Sequence, residues 1–292
     1  MRDTRGEKIF YGINNVFLIC VALICLAPLV YVLAVSFSAN DAVKSGLVTF
    51  WPVKFTTIGY EYLLQNKMFW RSMLNSVIRV LLGTLINLLC TCLVAFPLSR
   101  TNEKFKFRTL YAWFFFIPML VGGGLIPSYM VVKETGIMNT IWALVIPGAV
   151  PVFYVMVLLN FFRNLPPELE EAALIDGAGQ LRVLVQVYLP LSTPSLATIA
   201  VYAILGHWND WFSGSIYLNK LSDFPLMTYL QTVVVNYDPN KLSPSELERM
   251  SKLGSETMEA AQIFVSMLPV LVTYPFFQRY FTKGLVIGGV KG

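Results

Sequence analysis

The residues able to do chemistry are few. His207-Trp208-Asn209-Asp210-Trp211 sets the only histidine of the chain beside an amide, a carboxylate and two indoles. Aromatic faces with hydrogen-bonding groups between them suit sugar rings, whose C–H faces are apolar and whose rims carry hydroxyls. Inside a span such a run should face a water-filled cavity, since ionisable groups turned toward lipid are costly. On a helix His207 and Asp210 share one face, and Trp208 and Trp211 share another. The first pair is therefore expected to line a path, and the indoles to pack against neighbours or flank its opening. Two plainer readings stay open: a span that ends at Trp208, or His207 and Asp210 bonded to neighbouring helices. Catalytic constellations are missing. There is no H-E-x-x-H, no G-x-S-x-G, and no G-x-x-x-x-G-K-[ST] loop to cradle ATP. Cys20, Cys25, Cys90 and Cys92 all fall in apolar runs and read as small buried hydrophobes, without zinc spacing or disulfides.

The second informative stretch is 163–190, RNLPPELEEAALIDGAGQLRVLVQVYLP. Pro167 can open a helix, with Glu168, Glu170 and Glu171 in the first turn where the macrodipole favours negative charge. Leu169, Ala172 and Ala173 then fall at i, i+3 and i+4 on one apolar face. Asp176-Gly177 supplies the stop, because glycine takes a left-handed conformation without strain. A second amphipathic piece runs to Leu189-Pro190. The expected object is a helix–glycine–helix elbow lying along a membrane, with small residues on one face for close docking into a soluble partner.

The elements that must position these residues follow from charge. Of 292 residues, 56% are apolar and 13% charged, with a mean hydropathy of +0.62. Soluble domains carry about 25% charged residues, so a soluble enzyme, a nucleic-acid binder and a disordered chain are excluded together. No charged residue lies between Lys8 and Asp41, Arg108 and Lys133, Glu134 and Arg163, or Arg182 and Asp210. Each gap exceeds the roughly 20 residues that cross a bilayer core. Six helical spans are expected, near 13–37, 72–98, 109–132, 137–162, 194–218 and 260–282, the first of them uncleaved. Lys and Arg are denser in the N-terminal residues 1–12, the 99–108 and 163–193 loops and the C-terminal end, which places both termini in the cytoplasm. Arg79, two turns into the second span, reads as snorkelling to the outer interface. Gly122-Gly123-Gly124, between Pro118 and Pro127, is either an unwound stretch or a surface for close helix packing. The outer loop 38–71 is rich in aromatics, as an interfacial belt requires. Within the outer loop 219–259, Ser243-Pro244-Ser245-Glu246 reads as a capping box, starting a helix through 247–253 that Gly254 stops.

Glu171-Ala172-Ala173, three residues, Gly177, nine residues, Val187, one residue and Leu189-Pro190 resemble the EAA loop of importer-type ABC permeases. The segments LIPSYMVVKETGIMNTIWALVIPGAVPVF, GHWNDWF and FFQRYFTKGLVIGGVKG are similar to the MalG-like permeases of bacterial carbohydrate uptake, and the 38–71 region to their YtcP/LplC-type branch. The resemblance implies an all-α, MetI-like permease fold over residues 13–292, with core spans over 72–282. It implies a non-catalytic subunit that imports oligosaccharides through a pathway shared with a second, MalF-like permease in a heterodimer. Two ABC ATPase subunits would bind ATP and Mg, and an extracytoplasmic protein would deliver the sugar. The chain itself would hold no cofactor and no metal. ATPase coupling would fall to Glu170, Glu171, Ala172, Ala173, Asp176, Gly177, Leu189 and Pro190, and the pathway to His207, Trp208, Asn209, Asp210 and Trp211. A secondary transporter would need intramembrane charge relays or inverted repeats, and a membrane enzyme a nucleophile–base or metal site. The sequence offers neither.

Overall fold

A computed structural model describes residues 5–235 and 255–289. Apolar runs leave their backbone groups only one another to bond, and the chain is helical accordingly. Among the described residues there is no strand, only an isolated bridge between Ser38 and Phe55. The helices are α1 (Arg5–Ser36), α2 (Asn40–Lys44), α3 (Ile58–Gln65), α4 (Lys67–Ser99), α5 (Arg108–Leu120), α6 (Leu125–Glu134), α7 (Trp142–Val145) and α8 (Val152–Arg163). Then come α9 (Pro167–Ile175), α10 (Gln180–Val183), a π-helical turn at Leu184–Tyr188, α11 (Leu189–Leu191), α12 (Thr193–Asn209), α13 (Phe212–Tyr217) and α14 (Leu226–Tyr229). A short 3-10 turn at Leu221–Asp223 lies between α13 and α14, and a second π-helical stretch, Leu230–Val235, and α15 (Ser255–Gly289) complete the order. The helix expected over 247–253, with its capping box, lies outside the described residues.

The chain divides into two compact units, Met1–Phe69 with Thr232–Pro269, and Trp70–Gln231 with Val270–Gly292. In the first unit, Ala34, Val35, Ala42, Val48 and Ala260 form a small core. Ser38 ties its segments together: its hydroxyl donates to Ala34 O at 2.7 Å and accepts from Val53 N at 3.0 Å, while its carbonyl accepts from Thr257 Oγ1 at 2.9 Å. Phe37 stacks on both Phe55 and Tyr60. Lys54 pairs with Asp41 on the surface and, through that hydrogen bond, holds its carboxyl below the usual carboxylate range. Phe17, Ile24 and most of the apolar stretch of α1 are exposed.

In the second unit, the core runs through α4, α8, the α10–π turn and α12: Cys92, Ala95, Phe96, Leu98, Val155, Leu158, Phe162, Val183, Leu184, Tyr188 and Ile199. Ala173 and Ala178 pack against it, so the elbow sits on the same core as the long helix α4.

Several expected spans are interrupted. The stretch 109–132 is broken between α5 and α6 by a bend of 118°. The glycine triplet is the unwound segment there: Gly124 has φ +82° and a side chain at Gly122 or Gly123 would meet nothing within 4 Å, so close packing within the chain is not their role. The stretch 137–162 is helical only at α7 and α8, since Pro147 and Pro151 interrupt it. The stretch 194–218 breaks at Asp210, where the backbone turns extended (φ −75°, ψ 99°). Among the described residues, Phe10–Ser36 and Lys67–Ser99 alone are long and apolar enough to cross a membrane unbroken, and up to four spans result if each bent pair counts as one. All four cysteines are free, but Cys20 and Cys25 lie exposed on α1 rather than buried, and only Cys92 is in the core.

Candidate functional site: the elbow and the α4–α12 joint

The elbow forms as its residues require. Pro166 is extended before Pro167 opens α9, as the residue before a proline prefers. Asp176 closes the helix, and Gly177 follows at φ +78°, with its N–H donating to Leu174 O at 3.0 Å. The second limb runs from α10 through the π-helical turn to Leu191, past Leu189 and Pro190, and meets α12 at a bend of 83°.

The faces of α9 differ from the expected ones. Glu171, Ala172, Leu174, Ile175, Asp176 and Gly177 are exposed, with Ile175 at 86%. Leu169 is exposed as well, whereas Ala173 turns inward together with Glu170, which is only 4% exposed. Periodicity alone put Leu169, Ala172 and Ala173 on one apolar face, with small residues outward for docking; Ala172 is outward, but Ala173 and the expected coupling residue Glu170 are not. The carboxylate of Glu170 reorients the helix because it has cationic partners inside. It accepts from Arg100 Nη1, from Tyr188 Oη at 3.1 Å and from Lys104 Nζ at 3.3 Å. A buried carboxylate survives only when paired in this way.

Arg100 stands at the end of α4, 8% exposed, with its guanidinium 4.1 Å from the Phe96 ring centroid and 4.7 Å from that of Tyr188. Its Nη1 also donates to Tyr188 Oη at 2.9 Å. Planar stacking with a directed hydrogen bond is what arginine offers and lysine does not. Nearby, Leu98 O accepts from Arg108 Nε at 3.0 Å and Arg163 Nη2 at 3.3 Å, cations placed where the dipole of a helix end favours them.

The 207–211 run closes α12 against α4. Asn87 Oδ1 only accepts, so His207 Nε2–H donates to it at 2.8 Å, and Asn87 Nδ2 donates to Gly148 O at 2.7 Å and Ala149 O at 3.1 Å. The imidazole lies directly on Gly83, in the space where a Cβ would stand. Arg79 is 1% exposed. It pairs with the Asp210 carboxylate and donates from Nη1 to Asp210 O at 2.7 Å. Snorkelling to the interface is therefore incorrect for Arg79: an acidic partner 131 positions away neutralises it in place. Asp210 Oδ1 also accepts Ser213 N at 3.1 Å, starting α13 across the break. Trp208 is buried at 4%, whereas Trp211, at 40%, and Asn209 are exposed. The structure thus brings His207 and Asp210 together on the α4 side and leaves Asn209 and Trp211 outward. Sequence reasoning missed Gly83, Asn87, Arg100, Lys104 and Tyr188. A lone arginine and a lone aspartate in separate apolar stretches were the available signal for the Arg79–Asp210 pair.

Broken apolar helices thus meet at a polar joint, with an exposed elbow set on the core of the second unit. Residues 2–287 match the family described as the binding-protein-dependent transport system inner membrane component. The chain is 34% identical over its full length, and over the full length of the relative, to the polygalacturonan/rhamnogalacturonan transport system permease protein YtcP of Bacillus subtilis. It is 35% identical to protein LplC of the same organism, covering 100% of this chain and 98% of that one. A solved bacterial ABC transporter involved in the import of the acidic polysaccharide alginate superposes with a TM-score of 0.88 at 29% identity, covering 96% of this chain and 99% of that chain. The chain belongs to the binding-protein-dependent transport family and is a permease component of an ABC importer.

Proposed function

We propose that this chain is one of two permease subunits, in a heterodimer with a MalF-like partner, of an importer that brings oligosaccharides into a bacterial cell. The relatives named above for polygalacturonan/rhamnogalacturonan and for alginate support a carbohydrate substrate. The observation that carries the coupling reading is the elbow: an exposed face of small and acidic residues, Glu171, Ala172, Asp176 and Gly177, on a helix whose other face is fixed to the core of the second unit. Two cytoplasmic ATPase subunits, which hold the ATP and Mg, dock on elbows of this kind in the two permeases, and Leu189 and Pro190 continue the second limb into α12. The chain performs no covalent chemistry. Six spans with both termini in the cytoplasm place the elbow on the ATPase side, and an extracytoplasmic binding protein delivers the sugar from the other. Asn209 and Trp211 face the pathway, while His207, Trp208 and Asp210 shape the break that presents them.

The test is reconstitution. The tagged chain should co-elute with a second permease and an ATPase, and in proteoliposomes a binding protein loaded with oligosaccharide should stimulate both ATP hydrolysis and sugar uptake. An assembly that lacks the ATPase, or hydrolyses ATP at the same rate with and without loaded binding protein, would overturn the proposal.

A further inference from the structure

Glu170 immediately precedes the docking residues yet turns away from them. It is one of the most buried charged side chains of the second unit, and its three partners come from three segments: Arg100 at the end of α4, Lys104 in the following loop and Tyr188 in the π-helical turn. The Arg100 guanidinium lies in turn over the Phe96 and Tyr188 rings. Phe96 and Tyr188 also meet edge to face at 5.2 Å, as do Phe162 of α8 and Tyr188 at 5.2 Å. Both limbs of the elbow are thereby fastened to one point on the longest span of the second unit. Charge burial of this kind adds little net stability compared with an apolar filling, so a stability role alone does not account for it. What the arrangement does supply is direction, because two ring contacts and one nitrogen, Nη1, bonded to both Glu170 and Tyr188 limit how Arg100 can slide.

We propose that Glu170, Arg100 and Tyr188 form a mechanical clamp that makes α4 follow α9. They are positioning residues: when ATPase closure displaces the elbow, the clamp converts that displacement into movement of the span carrying Gly83 and Asn87, and so of the α12 break that rests on them. The inference rests on the docking reading of the exposed face. The clamp itself touches neither ATPase nor sugar.

The experiment uses the complete reconstituted importer and measures three quantities: ATPase co-elution, hydrolysis stimulated by loaded binding protein, and sugar taken up per ATP. Glu170→Gln removes the charge and keeps the shape, and Arg100→Lys keeps the charge and loses the planar group over the rings. Each should retain the ATPase and hydrolyse within twofold of the parental rate, while uptake per ATP falls at least tenfold. Tyr188→Phe, which removes one hydroxyl from an otherwise intact cluster of edge-to-face rings, should lower uptake per ATP about threefold, and it decides the matter if the charge variants do not accumulate. Unchanged uptake per ATP in an accumulating variant, or loss of ATPase co-elution, would overturn the clamp. Failure of the docking reading shows differently: Glu171→Lys would then leave co-elution and uptake at parental levels whatever Glu170→Gln does.

Discussion

Replacing Asp210 by Asn tests whether the break in α12 is held by charge. The Arg79 side chain is 2% exposed and the Asp210 side chain 30%, so the substitution leaves a buried guanidinium without its counter-charge. Breaking a buried pair costs about 3–5 kcal/mol. Arg79 keeps its bond to the Asp210 carbonyl, and an asparagine oxygen can still accept, so the low end, about 3 kcal/mol, is expected. Asp210→Leu also strips the acceptor from Ser213 N, adding about 1 kcal/mol. Removing both charges together, Arg79→Met with Asp210→Leu, should recover most of that loss, since apolar replacements of buried pairs are close to neutral. Unfolding of the purified protein, followed by its far-ultraviolet helical signal, gives the double-mutant cycle. Asp210→Asn should insert normally and transport slowly, and Asp210→Leu more slowly still. If Asp210→Asn unfolds within about 0.5 kcal/mol of the parent, the error of additivity, and transports at the parental rate, Asp210 is a solvated boundary residue and the charge-held break is refuted.

Two further predictions concern the elbow and its side of the membrane. Gly177→Val puts a β-branched side chain at φ +78°, costing at least about 1–2 kcal/mol locally, and should abolish uptake and stimulated hydrolysis in a protein that still inserts; normal uptake by the inserted variant would refute docking at this turn. In a background lacking the four native cysteines, a cysteine replacing Ser243 should react with an impermeant maleimide in intact cells, once the outer envelope admits it. One replacing Asn102 should react only after the membrane is opened, and the reverse pattern would invert the orientation.

Local rules were enough for the elbow and insufficient for its orientation. Proline at 167 and the Asp176-Gly177 stop act within a few residues, so the ends of α9 are legible by eye, and the structure places the helix at Pro167–Ile175. Which face turns inward depends on Arg100 and Tyr188, 70 and 18 positions from Glu170, and no periodicity encodes a partner at that distance. The same holds for Arg79, whose burial is intelligible only once Asp210 is opposite it. Charge-free gaps marked apolar segments, because lipid tolerates few charges. They did not reveal that 109–132 and 194–218 are broken, since a helix bent at glycines or closed by an aspartate is as apolar as a straight one.

The bend between α5 and α6 bears on how this stretch sits in a bilayer. Thirteen residues of α5 and ten of α6 rise only about 20 and 15 Å, against a hydrocarbon core of about 30 Å. Neither helix can cross alone, so the two make one crossing only together, through the bend of 118°. Their broken ends also expose amide and carbonyl groups that lipid cannot satisfy. At membrane depth such ends are tolerated only where they are buried in protein or line a water-filled cavity. The gap at Gly122–Gly124 is therefore a place where protein or water has to stand in for the missing backbone bonds.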